Sequence, residues 1–192
     1  MLLGIDIGGT SIKFAVLDER IWGGRNLEKF DFSIPQGNIG EAWVIAAHDN
    51  GSSKITNGEL AGLTLKEAYE KQPTLFTEKV YDKFPLLIKI LDASDNLSVQ
   101  VHPEDDYARE NENGELGKTE CWYVLGAKEG ANLVYGHTAK TKEEFNDKIN
   151  REQWQELFIE EEVKAGDFFY IPAGTLHAIG EGILIYEVQQ NS

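Results

Sequence analysis

The sequence lacks a second cysteine, because Cys121 is the only one among its 192 residues. A single cysteine excludes an intramolecular disulfide and suits a reducing compartment. The chain also lacks any apolar run near the ~20 residues that a membrane-spanning helix requires. Its first residues lack the basic segment and long apolar stretch of a secretory signal. Together these absences predict a cytoplasmic protein.

Basic residues are few relative to acidic ones. The chain has 18 Lys and Arg against 33 Asp and Glu, a formal net charge of −15. Such a charge repels nucleic acids and anionic membrane surfaces, so we expect neither as a partner. A phosphorylated substrate would need a local basic pocket against this background field.

Short apolar segments separated by turn residues recur along the chain and predict a mainly β fold. The segments are 42–47, 86–91, 97–101, 120–125, 132–135, 168–171 and 182–188. Helix-capping patterns begin at Thr64, Thr141 and Asn150. Many short strands and few helices favour a β-sandwich or jelly roll with a small helical insertion.

The most specific local pattern is Gly166-x5-Pro172-x-Gly174-x2-His177. Proline and glycine together favour a tight turn between two strands, which places the histidine on a rigid edge. The spacing resembles the second motif of the cupin superfamily, in which that histidine binds a metal. His177 is therefore a candidate metal ligand.

Gln100 and His102 are two further candidate ligands. Residues two apart in a strand face the same side, so an amide oxygen and an imidazole could bind one ion there. Glu120, which opens the next strong strand, could add a carboxylate. This mixed set of nitrogen and oxygen donors suits zinc and leaves room for water or substrate. A histidine that precedes proline, as His102 does, can also be a structural turn residue.

Longer segments of the chain closely resemble type I mannose-6-phosphate isomerases of the short Gram-positive kind, in sequence and in order. They are ERIWGG (19–24), FPLLIKILDASDNLSVQVHP (84–103), GKTECWYVL (117–125), YGHTAKTKEE (135–144) and AGDFFYIPAGTLHAIGEGILIYEVQQNS (165–192). The resemblance covers residues 19–192. It implies a cupin-type jelly roll that binds one zinc per chain and interconverts mannose 6-phosphate and fructose 6-phosphate.

The resemblance also implies a role for particular side chains. A phosphate-contacting serine falls on Ser98, and Trp22 lies in the motif that lines the pocket. Lys118 matches an active-site lysine and Glu187 an acidic residue near the metal; from the residues alone, a solvated lysine and a strand-face glutamate fit equally well. The zinc ligands of the family fall on Gln100, His102, Glu120 and His177.

The implied chemistry moves a proton between C1 and C2 of the sugar through an enediol. Zinc stabilises the developing negative charge as a Lewis acid. An acid–base group must also carry the proton. Lys118 is a candidate for polarising substrate oxygens, and Glu187 for proton transfer or pocket organisation.

Both ends of the chain depart from this family. The family continues beyond the match to Ser192 with an aspartate, an arginine thought to be central to catalysis, and further strands. We therefore expect a jelly roll whose C-terminal strands are missing and whose active site is impaired.

The start resembles a different family. Residues 1–18, MLLGIDIGGTSIKFAVLD, resemble the phosphate-binding motif of ROK-family sugar kinases. In that motif Asp6, Gly8, Gly9 and Thr10 would contact ATP phosphates, because a glycine-rich turn exposes backbone N–H groups. We expect 1–18 to form a β-hairpin segment with a structural role, ahead of a catalytic domain over 19–192.

Two rival functions stay open at this point. The chain could be a cupin-like binder of metal and sugar phosphate without turnover. It could also be a fragment of a ROK-type kinase, in which case ATP affinity would depend on Asp6 and Thr10.

Overall fold

Antiparallel strands dominate the computed structural model, which describes residues 6–7, 10–14, 16–30, 32–76 and 78–192, with side chains from residue 16 onward. The strands are β1 (Asp6–Ile7), β2 (Thr10–Phe14), β3 (Val16–Gly24), β4 (Ile39–Ile45), β5 (Ala47–His48), β6 (Gly51–Ser52), β7 (Lys54–Ile55), β8 (Leu86–Ala93), β9 (Glu120–Ala127), β10 (Asn132–His137), β11 (Phe158–Glu162), β12 (Phe168–Ile171), β13 (His177–Ile179) and β14 (Ile183–Gln190). The helices are α1 (Leu65–Lys71), α2 (Asp105–Asn111), α3 (Lys142–Asn150) and α4 (Trp154–Leu157), with 3-10 helices at Asn26–Phe30 and Pro73–Leu75. None of the helices in these ranges is long and apolar enough to cross a membrane.

A six-stranded sheet in the order β12-β9-β14-β8-β3-β4 forms the centre of the fold. Successive side chains of a strand point to opposite faces of the sheet, so each strand contributes residues to both faces. Along β14 the buried positions alternate with half-buried ones. Ile183 and Ile185 pack into one apolar core, whereas Leu184 and Tyr186 pack against the other.

The two cores lie on opposite faces of this sheet. The inner core contains Trp122, Val124 and Leu133 and is closed by the three-stranded sheet β11-β10-β13. The outer core is closed by α1 and by the 3-10 helix that carries Leu27. Two antiparallel sheets around an inner core confirm the mainly β, cupin-type jelly roll predicted from the sequence.

Helix α1 forms where the capping pattern predicts it. The Thr64 hydroxyl accepts a hydrogen bond from the Glu67 amide, and the Glu67 carboxylate accepts one from the Thr64 amide. This reciprocal capping satisfies two backbone donors that the first turn of a helix leaves without partners. Helix α3 likewise begins after Thr141, whose side chain accepts from the Glu144 amide.

Two elements differ from the sequence prediction. Residues 97–101 do not form a strand: they meet β13, which is three residues long, through one bridge between Gln100 and His177 and through a hydrogen bond from the Leu97 amide to the Ile179 carbonyl. Asn150 ends helix α3 and does not begin a new helix. The left-handed backbone at Glu152, with φ of 56°, breaks the helical path there.

The predicted N-terminal hairpin is described only in part. Strands β1 and β2 pair antiparallel, with Asp6 opposite Ser11. Gly8 and Gly9 lie outside the described residues, so the phosphate-binding turn stays a prediction. Strand β3 extends across residues 18 and 19, the predicted boundary between the two segments, and its pairing with β4 shifts register between these two residues.

Gly180 lets strand β13 lie close to its neighbour. A Cβ added at Gly180 would lie 1.9 Å from the backbone oxygen of Asn132, whereas one added at Gly126 would meet nothing within 4 Å. We therefore expect Gly180→Ala to lower the free energy of unfolding by about 1–3 kcal/mol, the usual cost of overpacking. Urea denaturation measures this directly, with Gly126→Ala as the matched control. Equal stability of the two variants would contradict the close approach seen here.

Candidate metal centre

Three side chains from separate parts of the chain converge at one end of the inner core. His102 follows the bridge at Gln100, Glu120 is the first residue of β9, and His177 is the first residue of β13. One ligand atom from each lies within 4.8 Å of the others. They line a cavity of about 230 Å³ between the two sheets.

The two imidazoles are oriented for a shared ligand. His177 Nδ1 lies 2.8 Å from the carbonyl oxygen of Thr175, which favours the tautomer that leaves Nε2 free. That Nε2 is 3.4 Å from Glu120 Oε1. The ring centroids of His102 and His177 are 4.7 Å apart. A histidine whose second nitrogen binds a carbonyl is the usual arrangement around a bound metal.

Glu120 is the most deeply buried of the three. Its relative exposure is 1%, and its Oε2 has no partner in hydrogen-bonding geometry. The ammonium nitrogen of Lys118 lies 3.3 Å from this oxygen and 3.0 Å from His102 Nε2. A cation therefore already lies between an imidazole and the buried carboxylate. Two imidazoles and a buried carboxylate, one of whose oxygens lacks a hydrogen-bond donor, fit a zinc-type ion.

Burial sets the protonation of the three groups. It lowers the pKa of His102 to about 3, with help from Lys118 and His177. Burial also lowers the pKa of His177, although the Thr175 carbonyl opposes the shift. The pKa of Glu120 rises to about 7, through burial and then repulsion by Glu187, while Lys118 opposes the rise. Both imidazoles are therefore neutral near pH 7, which is the form that binds metals.

The structure brings every site residue predicted from the isomerase resemblance to this cavity. Gln100 donates through Nε2 to Ser98 Oγ at 3.2 Å, and Ser98 itself is exposed. Glu187 is buried, and its Oε2 accepts from Trp122 Nε1 at 3.2 Å. The residues that line the cavity include Trp22, Ser98, Gln100, His102, Lys118, Glu120, His177 and Glu187. Their individual roles stay predictions.

Sequence reasoning missed three charged residues of the same cavity: Arg20, Glu41 and Lys89. Lys89 interrupts the apolar run Leu86–Leu91, and a charge in such a run is the signal that could have found it. Glu41 gives a weaker signal, because it stands at the edge of an apolar segment. Glu41 forms ion pairs with residues of other strands, and the sequence alone does not show which strands lie side by side.

The chain has clear relatives. It matches the catalytic domain of phosphomannose isomerase type I over residues 13–125. It is 55% identical over 177 residues to mannose-6-phosphate isomerase ManA of Bacillus subtilis, covering 92% of this chain and 56% of the relative. It is 54% identical over 177 residues to mannose-6-phosphate isomerase of Streptococcus mutans, with the same coverage of 92% and 56%. The chain thus spans somewhat more than half the length of these relatives.

A solved structure agrees with the fold. The crystal structure of the Bacillus subtilis mannose 6-phosphate isomerase superposes with a TM-score of 0.90 at 49% identity. The superposition covers 93% of this chain and 57% of that one. The similarity therefore includes nearly the whole of the chain, with its inner core and cavity.

The raised pKa of Glu120 predicts pH-dependent metal binding. A metal binds the ionised carboxylate, so a proton leaves Glu120 when the ion binds. With a pKa of about 7, the apparent zinc affinity should rise about tenfold from pH 6 to pH 8. Competition with a chelator measures it. Glu120→Gln should bind more weakly and lose this slope, and exposed Glu110→Gln should keep it. A wild-type affinity that is flat over this range would contradict the assignment.

Proposed function

The chain belongs to the type I phosphomannose isomerases, and from that premise we propose that it is a zinc-dependent isomerase. Its reaction interconverts mannose 6-phosphate and fructose 6-phosphate. The observation that carries the proposal is the convergence of His102, Glu120 and His177 in a cavity that also contains Lys118 and Glu187. The proposal includes the cytoplasm as the compartment, which fits a chain with one cysteine.

The proposed metal ligands are Gln100, His102, Glu120 and His177. Zinc held by these groups supplies a Lewis acid that stabilises negative charge on the enediol. Thr175 orients His177 through its carbonyl oxygen, and Ser98 engages the Gln100 amide. These contacts support the assignment, because groups that orient ligands are a regular part of zinc sites.

The remaining cavity groups bind and orient the sugar phosphate. Ser98 is exposed at the cavity and offers a hydroxyl to the phosphate. Arg20, Lys89 and Lys118 supply local positive charge, which a dianionic substrate needs when the chain carries a net charge of −15. Trp22 lines the same cavity and gives it an apolar surface beside the polar groups.

Lys118 and Glu187 carry the proton chemistry in this proposal. The ammonium of Lys118 lies beside the ligand set and donates to the sugar oxygens at C1 and C2 as charge develops there. Glu187 Oε1 is buried without a hydrogen-bond partner. Glu187 lines the cavity, and a carboxylate oxygen without a donor is able to take the proton from one carbon and return it to the other.

Turnover of mannose 6-phosphate tests the proposal. We expect the zinc-loaded chain to form fructose 6-phosphate, and Lys118→Met to lower kcat on the order of 100-fold, because acid–base groups contribute at least this much. Lys128→Met is the matched control, since Lys128 is exposed and pairs with Glu181 away from the ligand set. A coupled assay for fructose 6-phosphate gives both values.

One outcome would count against the role of Lys118, and a second would count against the function itself. Equal kcat for the Lys118 and Lys128 variants would remove Lys118 from the chemistry. A folded, zinc-loaded wild-type chain that binds mannose 6-phosphate without turnover would contradict the isomerase and favour the binding function. Isothermal titration with mannose 6-phosphate separates binding from turnover.

A further inference from the structure

One row of inward-facing side chains crosses the six-stranded sheet beneath the metal ligands. Trp43 on β4 pairs with Lys89 on β8, Lys89 pairs with Glu187 on β14, and Glu187 pairs with Trp122 on β9. Directly opposed residues of antiparallel strands have Cβ atoms roughly 5 Å apart. Lys89 is therefore the immediate neighbour of Glu187, the residue assigned above to proton transfer.

Lys89 nevertheless binds a different carboxylate. Its Nζ lies 3.2 Å from Glu41 Oε2, with side-chain exposures of 11% and 8% for the two residues. The same ammonium lies 4.9 Å from the centroid of the Trp43 ring. Among the described residues no ion pair joins Lys89 to Glu187, and Glu187 Oε1 has no hydrogen-bond partner.

The carboxylate of Glu41 is held from three sides. Arg20 Nε donates to Oε1 at 2.9 Å, and Trp43 Nε1 donates to Oε2 at 2.7 Å. Burial alone would raise the pKa of Glu41, but Lys89, Trp43 and Arg20 together lower it. Glu41 is thus an ionised, fixed anchor, whereas Glu187 has a single donor, Trp122.

We propose that Glu41 is a positioning residue that holds the Lys89 ammonium away from Glu187 and so leaves a carboxylate oxygen of Glu187, which lines the cavity, unpaired with that cation. This inference rests on the proposed isomerase function. A carboxylate paired with an ammonium is a weaker proton acceptor, because the cation stabilises its ionised form. A buried carboxylate oxygen without a donor is costly, so it would attract Lys89 if Glu41 did not compete.

Glu41→Gln tests the competition directly. Glutamine keeps the size of the side chain and removes the charge that attracts Lys89. We expect Lys89 to turn to Glu187, which should lower kcat for mannose 6-phosphate about tenfold or more. KM should not rise, because the cavity loses a negative charge and keeps Lys89 for the anionic substrate. A merely structural role for Glu41 would not separate kcat from KM in this way.

Asp18→Asn is the matched control. Asp18 is the other carboxylate on Arg20, at 2.7 Å from its Nη2, and its side chain is 38% exposed. Its replacement removes the same charge next to the same arginine but does not touch Lys89. We expect its kcat to stay within about twofold of wild type, as for a surface ion pair of little energetic weight.

A crystal structure of the Glu41→Gln variant gives a readout that does not depend on activity. We expect Lys89 Nζ within hydrogen-bonding distance of a Glu187 carboxylate oxygen. If Glu41→Gln does not fold, Trp43→Phe takes its place, since it removes one donor to Glu41 and keeps most of the ring. That variant should lower kcat by a smaller factor, about fivefold for one hydrogen bond.

Failure of the isomerase function and failure of the positioning role of Glu41 would give different results. A wild-type chain that neither binds nor converts mannose 6-phosphate would refute the isomerase function, while the variant structure would still test the position of Lys89. Normal turnover by wild type and an unchanged kcat in Glu41→Gln would overturn the positioning role and leave the isomerase intact. A raised KM with unchanged kcat would overturn it as well, because Glu41 would then act only in binding.

Discussion

The buried carboxylate of Glu120 is the constraint on which the site depends. Its exposure is 1%, and one of its oxygens has no hydrogen-bond donor. An ionised carboxylate in such a place is expensive unless a cation lies against it. Lys118 is that cation here, and the neutral imidazoles of His102 and His177 complete a ligand set for a metal ion. The fold therefore places a buried carboxylate that needs a nearby cation at the end of its inner core.

The same sheet contributes side chains to this charged site and to two apolar cores. A change in its strand register would therefore misplace residues on both faces. On β14, Ile185 and Glu187 point inward, whereas Leu184 and Tyr186 pack against the outer core. A shift of one residue would move Glu187 into the outer core and the tyrosine into the cavity. Apolar packing on both faces thus fixes the row of Lys89, Glu187 and their neighbours. The proposed chemistry and the stability of the fold therefore both depend on the same alternation of inward and outward side chains along the strands of this sheet.

Much of this arrangement could be predicted from the sequence, since it follows from local patterns. The turn before His177 and the capping pattern at Thr64 are local, and both occur as predicted. The sequence predicts a strand for Gln100 and His102 that does not form, yet both residues line the cavity. Their position comes from the bridge to His177, which is a contact between distant parts of the chain.

The residues that sequence reasoning missed are those whose meaning depends on pairing between distant strands. Lys89 gives a visible signal as a charge in an apolar run, but nothing local tells which carboxylate it binds. Glu41, Trp43 and Lys89 meet only because β4 lies beside β8 in the sheet. Strand order is set by packing of the whole domain, so these contacts required the structure.

Metal content is the most direct test of whether His102, Glu120 and His177 form a metal site. The purified chain is analysed by mass spectrometry for bound metal, beside a His102→Ala, His177→Ala double variant whose folding is checked by circular dichroism. We expect about one zinc per wild-type chain and none in the folded double variant. A folded wild-type chain without metal after exposure to zinc, or a double variant that retains it, would contradict the site described here.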